Sequence, residues 1–203
     1  MQAIQPYTQI FADIDGQKIL EKIAALAVTA EHVNPENKTV QEIVAEIIKT
    51  DQHSVLKHVS ITVKFVVDEK MKNKIQLLMF YAPVLAVNDH LAIDTKKKEF
   101  TCIIPPFKYK SKEWSDWTED VKNSETTYFK LLEAGCSVID AEQVLPESLK
   151  KMVIMTANLK DWQTFFWGVR KHSMDNPQLF ELAQSLLEDL KQLVPVVFDD
   201  ITY

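Results

Sequence analysis

Arginine is almost absent from this 203-residue chain: Arg170 stands alone, and the other 22 of its 23 basic residues are lysines. Guanidinium is the group of choice for forked, two-bond grips on phosphate and carboxylate. A single arginine therefore excludes an arginine-lined phosphate site built from one copy of the chain. Glycine is nearly as scarce, and Gly16, Gly135 and Gly168 are too scattered to form a phosphate-cradling loop. The two cysteines, Cys102 and Cys136, form no CxxC pair, so a reduced, cytoplasmic setting is expected. No apolar run approaches the roughly 20 residues of a bilayer-crossing helix. The first ten residues lack the basic start and apolar stretch of a secretory leader. No association with a membrane is expected.

What is present reads as an ordinary soluble protein, 46% hydrophobic and 26% charged. The net charge of −6 argues against a general nucleic-acid binder. Apolar spacing predicts helices over Gln17–Thr29 and after the capping-box pair Thr39 and Glu42, separated by a loop over His32–Lys38. His58–Val67 is the strongest strand, with Val59, Ile61, Val63 and Phe65 on one face. A helix over Glu69–Phe80 and a strand over Glu99–Ile104 follow, and Tyr81–Asp94 is apolar without a clear period. Further helices are expected over Glu125–Ala134 with Gly135 as cap, from Asp140, from Asn158, and from Asn176-Pro177 onward. The chain reads as one α+β domain, residues 1–203, with helices around a small antiparallel or mixed sheet.

Three stretches carry chemistry-bearing residues: Gln52-His53-Ser54-Val55-Leu56-Lys57-His58 before the central strand; the helix ending Glu133-Ala134-Gly135, followed by Ala141-Glu142-Gln143-Val144-Leu145-Pro146; and Asn158-Leu159-Lys160, continuing to Arg170-Lys171-His172. Together they resemble the flavin-dependent thymidylate synthases. That family carries His-x-Ser/Thr-x-x-Glu-His at the first stretch, Ala-Arg-x-x-Leu-Pro at the second and Asn-x-Arg at the third. The resemblance implies FAD held through Ser54, His58, Asn158 and Lys160, and a deoxynucleotide held through Arg170. It also implies a homo-oligomer, a tetramer by family habit, with flavin at subunit interfaces.

The departures are as specific as the matches. Gln52 stands at the first histidine position, Lys57 at the glutamate position, and Glu142 at the position of a nucleotide-holding arginine. The family's Arg-His-Arg, spacer and serine are missing from Ile75–Asp94, where the polar candidates reduce to Gln76, Tyr81, Asn88, Asp89 and His90. No catalytic residue is assigned. Such decay fits a divergent, phage-borne copy. Two functions follow from the resemblance: a divergent enzyme of pyrimidine deoxynucleotide metabolism, or a catalytically silent homologue kept for structure or interaction.

Other residues admit two readings each. His53 and His58 form a functional pair, or they pack and cap the turn before the strand. Asp89 and His90 lack a third ligand at metal spacing and read as a surface loop. Trp114 and Trp117 stack on a base or ring, or form a partner contact or a partly buried loop; Trp162, Phe165, Phe166 and Trp167 are a ligand platform, or core or subunit interface. Lys96-Lys97-Lys98 is a solvated turn. Arg170-Lys171-His172 is a vestigial anion site or a basic turn answering a helix dipole.

Overall fold

Scarce glycine shapes the helix ends of the computed structural model, which describes residues 1–11, 15–80, 82–86 and 92–202. Helix α1 (Gly16–Thr29) and helix α2 (Val40–Lys49) pack together, burying Ile19, Leu20, Ile23 and Ala24 of the first and Ile43, Val44 and Ile47 of the second. The expected capping box forms in full, with Thr39 and Glu42 bonding reciprocally. Both helices finish in the paired backbone bonds of a left-handed cap. His32 N–H donates to Ala27 and Glu31 N–H to Val28; Gln52 N–H donates to Ile47 and Asp51 N–H to Ile48. The left-handed residue is Glu31 (φ 57°) in the first and Asp51 (φ 57°) in the second. Among the described residues, only helix α4 (Lys112–Glu133) gives that position to glycine, Gly135 at φ 86°.

A left-handed residue with a Cβ costs about 1–2 kcal/mol, and glycine gives back roughly 0.5–1 kcal/mol in chain entropy. Glu31→Gly is therefore expected to stabilise the chain by a few tenths to about 1 kcal/mol, read as a rise in the thermal midpoint.

The chain divides into two compact units that share strands and a helix along the sequence. The first comprises Met1–Tyr7, Phe65–Lys74 and Ala86–Val153. Its three-stranded sheet runs β1 (Gln2–Ile4), β6 (Glu99–Ile103), β5 (Ile93–Asp94), with β1 parallel and β5 antiparallel to β6. Phe100 lies in its core against Tyr128 and Phe129 of α4, with ring centroids 5.5 and 5.9 Å apart. Short helix α5 (Val138–Ala141) follows the α4 cap; its N-cap is Ser137 rather than the expected Asp140.

The second unit comprises Thr8–Lys64, Ile75–Leu85 and Ile154–Tyr203. A four-stranded sheet has the order β2 (Tyr7–Ile10), β3 (Ser60–Val67), β7 (Lys151–Asn158), β4 (Val84–Ala86). The hydroxyls of Thr62 and Thr156 meet across β3 and β7 at 2.8 Å. Helix α3 (Glu69–Leu78) leaves β3, and helices α6 (Leu159–Lys171) and α7 (Pro177–Leu193) pack together. Trp162, Phe165, Phe166 and Phe198 are fully buried and stack edge-on or tilted at 5.4–6.5 Å.

The α+β class and mixed sheet stand as expected. Three strands had no anticipated counterpart: β1, β2 and β7. Trp114 and Trp117 lie on α4, not in a loop; Ser111 caps that helix by accepting the Trp114 N–H. The ambiguous stretch contains β4 and β5, while Tyr81, Asn88, Asp89 and His90 fall outside the described residues. Among the described residues, no helix is long and apolar enough to cross a membrane.

Candidate functional site at the start of helix α6

A carbonyl accepts and never donates, and that fixes the chemistry where α2, the turn after it and α6 meet. The left-handed cap at Asp51 turns the chain from α2 into a 3-10 turn, His53–His58, which leads into β3. Val55 and Leu56 bury the inner side of that turn, leaving Ser54, Lys57 and His58 exposed. The turn packs on α6, and Leu159 N–H donates to the Val59 carbonyl at 3.0 Å.

Asn158 starts α6. Its Oδ1 accepts the Asp161 N–H at 2.9 Å, and its Nδ2 donates to Asp161 Oδ2 at 2.7 Å. Asp161 in the first turn also suits the helix dipole. Both ends of the Asn158 amide are thus committed to the cap, which accounts for an asparagine there without any ligand.

Lys160 is held differently. Its Nζ lies 2.6 Å from His53 Nδ1, and His53 Nε2 lies 3.3 Å from the Ile48 carbonyl. Because the carbonyl can only accept, a neutral ring bonded to it carries its hydrogen on Nε2 and leaves Nδ1 bare to accept from the ammonium. Asp51 Oδ1 also lies 3.1 Å from Nδ1. A bare Nδ1 cannot donate to that carboxylate, so the lysine is the partner in the neutral ring. Gln52 adds a further group: its Oε1 is buried with no hydrogen-bond partner among the described residues. An unsatisfied buried acceptor costs about 1–3 kcal/mol, so a ligand N–H or O–H would be welcome there.

Arg170 lies at the other end of the same helix, roughly 15 Å from Lys160 at 1.5 Å per residue. It is exposed and sits 5.4 Å from the Trp167 ring centroid. His172 Nδ1 pairs with Asp175 Oδ2 at 3.1 Å. Of the five residues the resemblance singles out, four gather around the turn and the start of α6, and Arg170 does not join them. His53 is the site residue that the motif comparison passes over: it occupies an unspecified position of the family pattern, and its partner is 107 residues away.

Glu142 belongs to the first unit, in the turn after α5. Its charge adds to burial in pushing the Tyr128 hydroxyl above its ordinary pKa. A groove of about 560 Å³ beside them is lined by Ile93, Tyr128, Leu132, Val138, Ile139 and Glu142. A carboxylate on that wall repels phosphate. Among the described residues, no group of three or more His, Cys, Asp or Glu side chains could hold a metal ion.

The structure is thus an α+β protein in which a turn that exposes Ser54 and His58 and carries the unpartnered Gln52 Oε1 packs on the start of α6, where His53 holds the Lys160 ammonium. The chain belongs to the thymidylate synthase complementing protein family, Thy1, whose model matches residues 10–196. It is 26% identical over 102 residues to the flavin-dependent thymidylate synthase of Pyrococcus furiosus, covering 50% of this chain and 41% of that one. The Saccharolobus solfataricus enzyme of the same name is 32% identical over 97 residues, 47% of this chain and 36% of the relative. These stretches span less than half the length of the relatives. Among solved structures, a UMP/dUMP methylase, PolB from Streptomyces cacaoi bound with 5-Br dUMP, superposes with a TM-score of 0.72 at 13% identity, covering 98% of this chain and 96% of that one. The two share a fold.

Proposed function

We propose that this chain is a divergent flavin-dependent thymidylate synthase-like protein of pyrimidine deoxynucleotide metabolism that retains a place for FAD at the start of α6. The observation that carries this reading is the His53-held Lys160 ammonium at the start of α6, packed beside a turn that carries the unpartnered Gln52 Oε1 and exposes Ser54 and His58. Lys160 would meet a phosphate, Gln52 would accept from a ligand N–H or O–H, and Ser54 and His58 would supply further polar contacts. When bound, flavin would supply reducing equivalents for transfer to a pyrimidine. The chain's part is to bind the group and orient it. Asn158 acts through the cap that sets the direction of α6.

The deoxyuridylate-like nucleotide is the weaker half of the site. Arg170 stands about 15 Å from Lys160 at the far end of α6, so a second copy that brings its own Arg170 alongside would complete the site. The homo-oligomer expected from the family, a tetramer, would supply that arrangement; light scattering measures it. A reducing, cytoplasmic setting fits two free cysteines, of which Cys102 is buried and its thiol pushed up to about 11 by burial.

A second reading, a catalytically inactive homologue serving as a structural or interaction module, is favoured by one observation. Glu142 puts a carboxylate where the family places a phosphate-holding arginine, on the wall of an apolar groove.

The test is an FAD titration followed by flavin fluorescence, for the wild type and Lys160→Ala, with deoxyuridine monophosphate added afterwards. Loss of one charge-assisted hydrogen bond is worth about 1.5–3 kcal/mol, so Lys160→Ala should bind FAD at least tenfold more weakly. FAD binding without any nucleotide response supports the inactive reading. Absence of FAD binding by the wild type refutes the flavin reading.

A further inference from the structure

We propose that His53 is a positioning residue for Lys160: a neutral imidazole that aims the ammonium at an anionic ligand group without cancelling its charge. This rests on the flavin reading above for the identity of the ligand, a phosphate-bearing dinucleotide, but its geometric core stands apart from that reading.

Replacing a guanidinium by an ammonium removes the rigid fork that orients itself on a phosphate. Lysine instead carries about 2 kcal/mol of rotamer freedom that must be given up before its charge acts from one place. An acidic side chain could fix it, as Glu46 fixes Lys38 at 2.6 Å. A carboxylate would also neutralise the charge that a phosphate is meant to feel. His53 removes the freedom and leaves the charge. Its Nδ1 accepts from Nζ at 2.6 Å, leaving two ammonium hydrogens for a ligand.

The imidazole is itself held. Its side chain is 17% exposed, and the Ile48 carbonyl receives Nε2–H at 3.3 Å, which selects the tautomer with a bare Nδ1. Ile48 is in the last turn of α2, where carbonyls lack i+4 helical partners; its carbonyl accepts the Asp51 N–H of the cap and has a second lone pair for the ring. The left-handed Asp51 then delivers His53 to that place. Among the described residues, Asp51 is the acidic side chain paired with the ring, its Oδ1 3.1 Å from Nδ1, and that side chain is 91% exposed. Water screens it, so it competes weakly for the lysine's partner.

The structure therefore makes two separable predictions. The first concerns the free protein and needs no ligand. Nitrogen-15 NMR of the imidazole at neutral pH should show His53 as the Nε2–H tautomer, and Lys160 should react more slowly with an acylating reagent than the exposed Lys57 on the same turn. A ring carrying its hydrogen on Nδ1, or a Lys160 that reacts as fast as Lys57, overturns the proposal.

The second prediction uses two substitutions that divide the ring's functions. His53→Asn places an oxygen near the position of Nδ1 and keeps an acceptor for Lys160. His53→Gln places its amide near Nε2 and keeps a donor for Ile48, but offers Lys160 nothing. His53→Gln should weaken FAD binding about tenfold, the effect of one charge-assisted bond, while His53→Asn should restore most of the loss. In a Lys160→Ala background, His53→Gln should add little, because both act on one ammonium. Equal losses in the Asn and Gln variants, or full additivity with Lys160→Ala, show a merely structural histidine and overturn the proposal. If the wild type binds no FAD, the flavin reading fails, and the tautomer and reactivity measurements alone decide the role of His53.

Discussion

Trp162→Ala is expected to lower the stability of the chain by about 3–5 kcal/mol, enough to unfold much of a marginally stable domain. The indole is fully buried, with Phe165 and Phe166 against it at ring-centroid distances of 5.7 and 6.5 Å. Its Nε1–H donates to the Ile61 carbonyl at 3.1 Å, tying the first turns of α6 to strand β3. Alanine leaves both a cavity and a buried carbonyl without that donor. Trp162→Phe separates the two costs: it fills most of the volume and loses only the hydrogen bond, for about 1–3 kcal/mol. Urea denaturation followed by circular dichroism measures both. An alanine variant within 1 kcal/mol of wild type would contradict this packing. The consequence reaches the candidate site, because the same turns of α6 carry Asn158 and Lys160.

Gly16→Ala has the second large effect, for a different reason. A Cβ at Gly16 would lie 1.7 Å from the Leu193 carbonyl oxygen and 2.9 Å from its carbon. Backbone cannot rotate aside as a side chain can, so the start of α1 or the end of α7 must move. Overpacking of this kind costs about 1–3 kcal/mol, and a contact this short belongs at the upper end or beyond. Gly168→Ala is the control. Its Cβ would meet Leu78 Cδ2 at 2.8 Å, the tip of a flexible side chain. The gain in helix propensity, about 1 kcal/mol, offsets that push. Thermal melts should therefore show a marked drop for Gly16→Ala and little change for Gly168→Ala. Similar melting points for the two would contradict the close approach at Leu193.

The helices were readable where the sequence carries a local stop or start. Thr39 with Glu42, Asn158 with Asp161 and Asn176 before Pro177 each satisfy orphan N–H groups within three residues, so the signal and the structure occupy the same stretch. Strand β7 carries no such signal. Its buried side holds Val153, Met155 and Ala157, and methionine and alanine do not announce a strand. Only pairing with β3 and β4 makes it one. The first half of α4 was hidden by its charge: Lys112, Glu113, Asp116, Glu119 and Asp120 face water, and Trp114 and Trp117 are only half-buried. A sparse apolar stripe over that stretch looks like loop.

The candidate site divides in the same way. Ser54, His58, Asn158 and Lys160 stand out in the sequence because they sit at family motif positions, and their contact with a ligand is part of the proposal. What the motif could not say is that Asn158 has a sufficient structural task as a helix cap, or that Arg170 stands a helix length away from Lys160. His53 was legible only as a histidine in a turn. Its role depends on a lysine brought to it by the fold, and no local pattern encodes a contact across 107 residues.

The central claim is that this member of the family still holds flavin at the start of α6. An absorbance scan of the purified protein across the near-ultraviolet and blue, after incubation with FAD and gel filtration, tests it most directly. The account predicts flavin bands that co-elute with the protein and are diminished in Lys160→Ala. A colourless wild-type protein that leaves all added FAD behind on the column would contradict it.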